Sequence, residues 1–252
     1  MGLSLARPDF TDDALLGGRV TLRQPANGYR AGIDAVFLAA AVPAQAGDSV
    51  LDLGIGTGAA ALCLLARVPG ATVVGLEREP AYAALARHNA MANGWPDRVR
   101  VVEGDVNTPP DLGPFDHALT NPPFLEDGQG TRARDAARAA AHSGDVPLAD
   151  WLAVAAAALR PGGTLTVVFP ARREGELLAG LPPGQVRLLP LIPRHGRAPK
   201  RLLVQVRTGV APALTRLPGL VLHGAAPGFT PTAESILREG RALPLDAGLS
   251  AA

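Results

Sequence analysis

The sequence predicts an α/β protein with a Rossmann-like fold, in which a mostly parallel sheet of seven strands ends in an antiparallel hairpin. Short runs rich in β-branched residues and leucine alternate with longer alanine- and leucine-rich runs, which is the pattern of repeated strand–helix–strand units. A glycine-rich turn at residues 54–58 stands directly between the first of these strands and its helix. The last two strands lie too close together in the sequence to be parallel.

Seven segments have the length and composition of strands. They are residues 49–53, 72–77, 98–104, 117–121, 164–170, 186–192 and 201–207. Helical segments precede or separate them, at residues 34–42, 59–68, 80–93, 148–159 and 172–181. Pro80 suits the first turn of its helix and Gly94 suits the end, so the third of these helices has both a start and a stop signal.

The connection between the last two strands, residues 193–200, decides the type of sheet. It is shorter than the dozen or more residues that a parallel crossover needs, so we expect these strands to be antiparallel. An ordinary dinucleotide-binding sheet stays parallel throughout. The terminal hairpin therefore favours the Rossmann-like architecture of the class I methyltransferases.

The segments outside the sheet define the domain organisation. We expect a lead-in at residues 1–48 that packs on the ligand site, a main domain at residues 49–208 and a C-terminal appendage at residues 209–252. The appendage contains a short strand, residues 220–223, and a helix opened by Thr230 and Pro231. The long interval after Asn121 is expected to be a substrate-facing element with its own helix at residues 132–141.

Composition excludes several classes of protein. Hydrophobic residues make up 47% of the 252 residues and charged residues 19%, so the chain can bury a core and is not a disordered protein. No apolar run approaches the roughly 20 residues that cross a bilayer, and the N-terminus has no basic segment followed by an apolar run. We therefore expect a cytoplasmic protein with no membrane contact.

Metal and disulfide chemistry are not expected either. The single cysteine, Cys63, excludes a disulfide framework or a cysteine-based zinc site within one chain, and His142 has no neighbours at the spacing of metal ligands. The formal net charge of +1 argues against an evenly basic surface, although it permits local basic patches.

The glycine-rich turn is the first candidate binding feature. Residues 50–58 read Val-Leu-Asp-Leu-Gly-Ile-Gly-Thr-Gly, and the glycines let the backbone approach a ligand without interference from Cβ atoms. Glu77 ends the next strand, where its carboxylate can accept two hydrogen bonds from a ribose diol. Asp105 ends the third strand, within reach of an adenine amino group. Ligands of open α/β sheets bind at the carboxyl ends of the strands, so these features converge on one crevice.

Two cofactors are compatible with the turn taken alone. Gly54, Gly56 and Ala59 also satisfy the looser dinucleotide pattern G-x-G-x-x-A, which leaves an NAD-dependent oxidoreductase as an alternative. Against NAD stand Asp52, which suits a cationic amino-acid moiety, the tighter glycine spacing completed by Gly58, and the terminal hairpin. These observations favour S-adenosylmethionine.

Asn121, Pro122, Pro123 and Phe124 follow the fourth strand and form the second candidate feature. Two prolines hold the backbone extended and remove two N–H donors, which leaves the local surface rich in acceptors. The Asn121 side-chain oxygen and the Pro122 carbonyl can both accept from an exocyclic amine, and Phe124 can stack on the ring that carries it. Positioning and electrostatics would then replace a strong general base, and these four residues are the predicted catalytic set.

The residues now resemble the S-adenosylmethionine-dependent amino-methyltransferases with an (Asn/Asp)-Pro-Pro-(Tyr/Phe) motif. The closer likeness is to the bacterial tRNA adenine N6-methyltransferases that modify valine tRNA beside its anticodon. It extends over residues 18–240 and rests on three segments outside the shared core: residues 24–38, residues 199–204, and residues 220–223 together with 229–231. Similar motifs also serve guanine N2, DNA adenine and protein glutamine enzymes, so ribosomal RNA guanine and protein glutamine remain alternative targets, and a non-catalytic RNA-binding module is a rival of another class.

The resemblance implies a set of site residues. The predicted cofactor-binding residues are Tyr29, Arg30, Asp34, Asp52, Gly54, Gly56, Thr57, Gly58, Glu77 and Asp105, of which the first three would lie near the methionine end. The implied partner is tRNA or another structured RNA. Two groups of basic residues could contact its phosphates: Arg132, Arg134 and Arg138 after the Asn-Pro-Pro-Phe motif, and Arg194, Arg197, Lys200 and Arg201 at the last hairpin.

Overall fold

The computed structural model describes residues 9–28, 30–123, 146–225 and 227–246. The strands are β1 (Phe10–Leu15), β2 (Val20–Pro25), β3 (Ser49–Leu53), β4 (Thr72–Glu77), β5 (Val99–Glu103), β6 (Phe115–Thr120), β7 (Leu159–Pro170), β8 (Gln185–Arg194), β9 (Arg201–Arg207), β10 (Ala213–Arg216) and β11 (Leu220–His223). The helices are α1 (Ile33–Ala41), α2 (Ala59–Arg67), α3 (Pro80–Ala92), α4 (Leu148–Ala157), α5 (Glu174–Gly180) and α6 (Pro231–Glu239).

The main sheet has the predicted architecture. Its strand order is β10-β8-β9-β7-β6-β3-β4-β5, so β3 lies near the middle and the chain crosses over to β6 after adding β4 and β5 on one side. All seven predicted strands are present as β3 to β9. The terminal hairpin is confirmed, because β9 is antiparallel to both of its neighbours, β7 and β8.

The sheet is wider than the seven predicted strands. β10 and β11 both pair in parallel with β8, β10 along the first part of that strand and β11 along its last part. β11 was predicted as a strand, but its place in the main sheet was not. β10 escaped prediction because all four of its residues are exposed, so it has no alternation of buried and exposed side chains. Part of the predicted C-terminal appendage is thus continuous with the main sheet.

The lead-in forms an antiparallel hairpin, β1 and β2, that sits outside the main sheet. Val20, Leu22 and Gln24 of β2 are buried, whereas Thr21 is exposed and Arg23 is half-buried. This alternation of buried and exposed residues is typical of a half-buried strand. The sequence did not predict a strand here, because the segment is short and precedes any other strand signal. The hairpin leads into α1, whose residues from Ala35 to Ala41 are buried throughout.

Helices cover both faces of the sheet and enclose two apolar clusters. One cluster joins α1 and α2 to the hairpin and to Ile236 and Leu237 of α6, so the C-terminal helix packs against the lead-in. The other lies beneath α4 and α5, around Leu152 and Leu177. Parallel strands β3, β4, β5 and β6 all end at the same edge of this sheet, which is where ligands of such folds bind.

Two further observations concern the described residues. None of their helices is long and apolar enough to cross a membrane. In the same part of the chain, no three His, Cys, Asp or Glu side chains come together as metal ligands would.

Candidate active site

The glycine-rich turn links β3 to α2 at the carboxyl edge of the sheet. Gly54 has a φ of +77°, and a Cβ atom at this position would lie 2.9 Å from Cζ2 of Trp151. Both the positive φ and the close approach of the indole require glycine here. The N–H groups of Gly54 and Ile55 donate to the carbonyl oxygen of Leu76 at 2.9 and 3.1 Å, which fastens the turn to the end of β4.

Two buried polar atoms beside this turn are unsatisfied. Asp52 is 3% exposed and Thr57 is 2% exposed, and among the described residues neither Asp52 Oδ2 nor Thr57 Oγ1 has a hydrogen-bond partner. Burial raises the pKa of Asp52 to about 8; the backbone N–H of Ala61, which donates to the carboxylate, lowers it, and the nearby charge of Glu77 raises it. Buried acceptors without partners are costly, so their position indicates a ligand that donates hydrogen bonds.

Both atoms belong to residues that line one cleft, which is open to solvent. The cleft is lined by Ala31, Ala35, Leu38, Asp52, Gly54, Ile55, Gly56, Thr57, Ala59, Ala60 and Asn121. The glycine-rich turn, the buried carboxylate and the first residue of the Asn-Pro-Pro motif therefore meet in one place. Three small or apolar residues of the lead-in, Ala31, Ala35 and Leu38, close its side.

Glu77 ends β4 next to the turn, as predicted. Its Oε2 accepts from the Gly56 N–H at 2.9 Å and its Oε1 from the Glu79 N–H at 2.9 Å. Burial raises the pKa of Glu77, and the backbone hydrogen bonds from Glu79, Gly56 and Arg78 oppose that shift. Each carboxylate oxygen can accept more than one hydrogen bond, so the carboxylate retains acceptor capacity for a diol.

Asp105 lies two residues beyond the end of β5, slightly further than the predicted strand end. Its Oδ1 accepts from the backbone N–H and the side-chain amide of Asn107, at 2.8 and 3.1 Å. Its Oδ2 is 3.8 Å from Nη1 of Arg78, the residue that follows Glu77. Asp105 and Glu77 therefore occupy neighbouring strand ends, as the sequence predicted.

Asn121 follows β6 directly, and its side-chain oxygen is buried. Pro122 is buried and Pro123 is exposed, whereas Phe124 lies outside the described residues. The strand end is held by Trp151, whose indole N–H donates to Thr120 Oγ1 at 2.8 Å, and the Thr120 hydroxyl in turn donates to the Leu53 carbonyl at 2.7 Å. Sequence reasoning missed Trp151, since it follows a long interval and no spacing relates it to the turn.

The structure does not bring every predicted site residue into the cleft. Arg30 donates to Thr11 Oγ1 and to the Pro25 carbonyl and pairs with Asp13, so its guanidinium ties the segment before α1 to the lead-in hairpin. Asp34 accepts a 2.8 Å hydrogen bond from Nε of Arg201 at the start of β9. Tyr29 lies outside the described residues, as do Arg132, Arg134, Arg138, His142 and the helix predicted at residues 132–141.

A buried asparagine on α3, which sequence reasoning also missed, connects the lead-in to the glycine-rich turn. Asn89 is 1% exposed; its amide donates to the Arg23 and Thr57 carbonyls at 2.9 Å each, and its oxygen accepts from the Arg23 N–H at 2.8 Å. One turn later, Asn93 exchanges two hydrogen bonds with the backbone of Thr21. The pair holds β2 against α3. The signal available in the sequence was an asparagine within an alanine-rich helical segment.

The fold and the cleft define a class I methyltransferase of the kind that uses S-adenosylmethionine. Residues 30–178 match the family model of the methyltransferase small domain. The tRNA1(Val) (adenine(37)-N6)-methyltransferase of Aeromonas hydrophila is 33% identical over 186 residues, which cover 72% of this chain and 78% of the relative. The enzyme of the same name from Porphyromonas gingivalis is 32% identical over 239 residues, covering 84% and 89% of the two chains. The chain therefore belongs to the methyltransferase small domain family and to the family of the tRNA1(Val) (adenine(37)-N6)-methyltransferases.

Solved structures share the fold. A predicted O-methyltransferase from Agrobacterium tumefaciens superimposes with a TM-score of 0.70 at 26% identity, covering 83% of this chain and 97% of that one. An S-adenosylmethionine-dependent O-methyltransferase from Thermotoga maritima shares the fold, with a TM-score of 0.53 at 19% identity over 72% and 67% of the two chains. The protein is an S-adenosylmethionine-dependent methyltransferase, which confirms the predicted cofactor and excludes the NAD alternative.

Proposed function

We propose that this enzyme methylates N6 of an adenine in tRNA, and that the cleft between β3, α2 and Asn121 holds both reactants. The main supporting observation is that Asp52, Thr57 and Asn121, from the ends of the paired strands β3 and β6 and the turn after β3, line one cleft. Residues suited to a cationic amino acid and a residue suited to an exocyclic amine are thus placed within reach of the same small ligand. The family relatives named as tRNA1(Val) (adenine(37)-N6)-methyltransferases support the choice of target.

The unsatisfied acceptors fit the amino-acid end of S-adenosylmethionine. An ammonium group carries three donors, and Asp52 Oδ2 and Thr57 Oγ1 are two buried acceptors without partners in the described structure. Glu77 would accept from the ribose hydroxyls and Asp105 from the adenine amino group, since they end adjacent strands. The backbone of Gly54 and Gly56 would lie against the ligand where any side chain would obstruct it. The bound cofactor supplies a methyl group on a positively charged sulfur.

Asn121 and Pro122 would prepare the target amine. The side-chain oxygen of Asn121 and the carbonyl of Pro122 accept its two N–H groups, so that the nitrogen lone pair turns toward the methyl carbon. As the nitrogen–carbon bond forms and the carbon–sulfur bond breaks, positive charge develops on the nitrogen, and these two acceptors stabilise it. The extra proton then leaves to solvent. Phe124, outside the described residues, would stack on the adenine ring.

A tRNA target is also consistent with the chemistry of access. The target amine of a paired base lies inside the helical stack, whereas an anticodon-loop base can leave its stack at small cost and enter an open cleft. A tRNA substrate leads us to place the enzyme in the cytoplasm.

Methyl-labelled S-adenosylmethionine tests the proposal. The enzyme would be incubated separately with total tRNA, ribosomal subunits and release factors, and tRNA from cells with and without the protein would be digested for nucleoside mass mapping. We expect label in tRNA and loss of one N6-methyladenosine from the tRNA of cells lacking the protein. Label confined to release factors, or to ribosomal RNA as N2-methylguanosine, would refute it in favour of the corresponding alternative target.

A further inference from the structure

The turn between β8 and β9 presents unneutralised positive charge at the same edge of the sheet as the cleft. Arg194, Arg197 and Lys200 are exposed, and no carboxylate among the described residues pairs with any of them. Arg201, which the sequence grouped with them, is different, because its guanidinium pairs with Asp34. The group of basic residues without a carboxylate partner is therefore smaller than the sequence predicted, and it is confined to the turn itself.

The turn is a defined structure. The Arg197 N–H donates to the Arg194 carbonyl at 3.0 Å, so these arginines are the first and fourth residues of a turn and their Cα atoms lie within about 7 Å. The Lys200 N–H donates to the Leu191 carbonyl at 3.1 Å and closes the hairpin below them. Three cations are thus held together on a short, hydrogen-bonded loop, where they can contact successive phosphates.

An aromatic pair borders this turn. His223 ends β11 in register with Arg194, and Nη1 of Arg194 donates to the Gly224 carbonyl at 3.1 Å. The His223 ring stacks on Phe229 with centroids 4.6 Å apart and planes inclined by 23°. Nδ1 of His223 donates to the Gly228 carbonyl at 2.9 Å, which fixes the ring, and His223 remains half-exposed. Sites for single-stranded nucleic acid combine an aromatic ring that stacks on a base with cations that contact the phosphates, and this region has both kinds of group.

The charges along the carboxyl edge of the sheet differ between its two halves, and this difference indicates which half a polyanion would contact. Glu77, Glu79 and Asp105 occupy the β4–β5 half, beyond the glycine-rich turn, and Arg78 between them pairs with Glu79 and Asp105, so this half keeps an excess of negative charge. The basic turn lies on the other side of Asn121, three strands away in the order β6-β7-β9-β8, which is about 14 Å at the usual strand spacing. Phosphates would be repelled from the cofactor half and attracted to the half that carries β8 and β11.

We propose that Arg194, Arg197, Lys200 and the His223–Phe229 pair form a docking surface for the RNA strand that flanks the target adenine. The cations hold its phosphates and the His223 ring stacks on one of its bases, a few nucleotides from the base in the cleft. The proposal rests on the proposed function, since it takes RNA as the substrate, and it assigns the C-terminal strand β11 a part in substrate binding.

Variants of the turn test the electrostatic part. R197A/K200A removes two exposed cations, and R100A/R241A is the matched control, because Arg100 and Arg241 are also exposed and pair with no carboxylate among the described residues. We expect the Kd for an unmodified valine tRNA transcript, measured by filter binding, to rise about ten-fold or more in R197A/K200A. Its salt slope should become shallower by about two, with no change in the control. Calorimetry should give an unchanged Kd for S-adenosylhomocysteine in both.

Substitutions of His223 test the stacking part. His223→Ala should weaken tRNA binding about five-fold or more, whereas His223→Phe, which keeps an aromatic face, should bind within two-fold of the wild type. Equal losses in the two variants at equal melting temperature would overturn the stacking role.

Binding and transfer are measured separately, so the two proposals fail separately. A wild-type enzyme that binds tRNA with the expected sensitivity but does not methylate it would refute the proposed reaction and support the surface. Normal methylation of tRNA with unchanged affinity in R197A/K200A would refute the surface alone. No binding of tRNA by the wild type would refute both.

Discussion

The indole N–H of Trp151 donates a 2.8 Å hydrogen bond to the hydroxyl of Thr120, the residue immediately before Asn121. The same indole lies against Gly54, at a distance that leaves no room for a Cβ atom there. One side chain from α4 therefore contacts the glycine-rich turn and the strand that carries the proposed catalytic asparagine. It fixes the distance between the two halves of the site, and a misplacement of reacting groups by about 1 Å can cost about a hundred-fold in rate.

Replacement of the indole should affect both catalysis and stability. Trp151→Phe loses one neutral hydrogen bond and the packing of the six-membered indole ring against Gly54, so we expect the free energy of unfolding to fall by about 2 kcal/mol in urea denaturation. We expect kcat to fall about ten-fold, with the Kd for S-adenosylhomocysteine changed by less than three-fold. Thr120→Val removes the same bond from the other side, together with the bond that the Thr120 hydroxyl donates to the Leu53 carbonyl. If the bond is what positions Asn121, the double variant should be no slower than Thr120→Val alone, and additive losses would contradict this account.

Replacement of the proposed catalytic asparagine should separate binding from chemistry. Asn121→Ala removes one of two acceptors that stabilise developing charge, so we expect methyl transfer to fall by about 10²- to 10³-fold. Asn121→Asp keeps an acceptor oxygen in the same place and should retain more activity than Asn121→Ala. Single-turnover transfer from labelled cofactor measures both. Unchanged transfer in Asn121→Ala would show the assigned mechanism to be wrong.

The features that sequence predicted best are those set by local pattern. Runs of β-branched residues predicted the positions of seven strands, and the eight-residue connection predicted the direction of β9. The spacing of Gly54, Glu77 and Asp105 predicted that the glycine-rich turn and the two carboxylates lie at neighbouring strand ends. Each inference needed only a short stretch of chain and the rule that parallel strands end at one edge.

The features that escaped prediction depend on contacts between distant segments. Arg30 was predicted to lie near the methionine end of the cofactor, yet it binds the hairpin, because Asp13 becomes its neighbour only when β1 folds onto β2. Arg201 belongs to a basic run, yet Asp34, 167 residues away, neutralises it. Trp151 acquires its role from the approach of α4 to the turn. None of these pairings is encoded in the spacing of the residues.

The buried asparagine on α3 should matter to the cofactor site, whereas its neighbour one turn away should not. Asn89→Leu leaves backbone groups of Arg23 and Thr57 without partners, so we expect a loss of about 3 kcal/mol in the free energy of unfolding. We also expect about ten-fold weaker binding of S-adenosylhomocysteine, since the Thr57 carbonyl belongs to the turn. Asn93→Ala is the matched control: it loses its bonds to Thr21 in an exposed position and should cost about 1 kcal/mol or less.

Calorimetric titration and urea denaturation of the two asparagine variants would check this. Equal losses of cofactor affinity in Asn89→Leu and Asn93→Ala would mean that the hairpin as a whole, not the bond to the turn, supports the site.

Asp52 should make both the stability of the protein and its cofactor affinity depend on pH. Its pKa is raised from an ordinary 3.8 to about 8 by burial, so the folded protein holds a proton that the unfolded chain releases. Stability from this group is fully present below pH 4 and is lost as the pH rises toward 8. Asp52→Asn has no ionisable group at this position, so it does not lose stability in this way as the pH rises. We therefore expect this variant to melt several degrees above the wild type at pH 8, where each kcal/mol is about 2–4 °C, and at nearly the same temperature at pH 4.

Cofactor affinity should move in the opposite direction. If the ionised carboxylate of Asp52 pairs with an ammonium group, binding below pH 8 must release the proton, and the affinity for S-adenosylhomocysteine should rise by up to about ten-fold per unit between pH 6 and 8. Calorimetry in buffers of different ionisation enthalpy measures that proton directly. Asp52→Asn keeps the acceptor for the Ala61 N–H but cannot ionise, so it should bind about 10- to 100-fold more weakly at pH 8 and without proton release. A wild-type affinity that does not change between pH 6 and 8, with no proton exchanged, would remove Asp52 from the cofactor site.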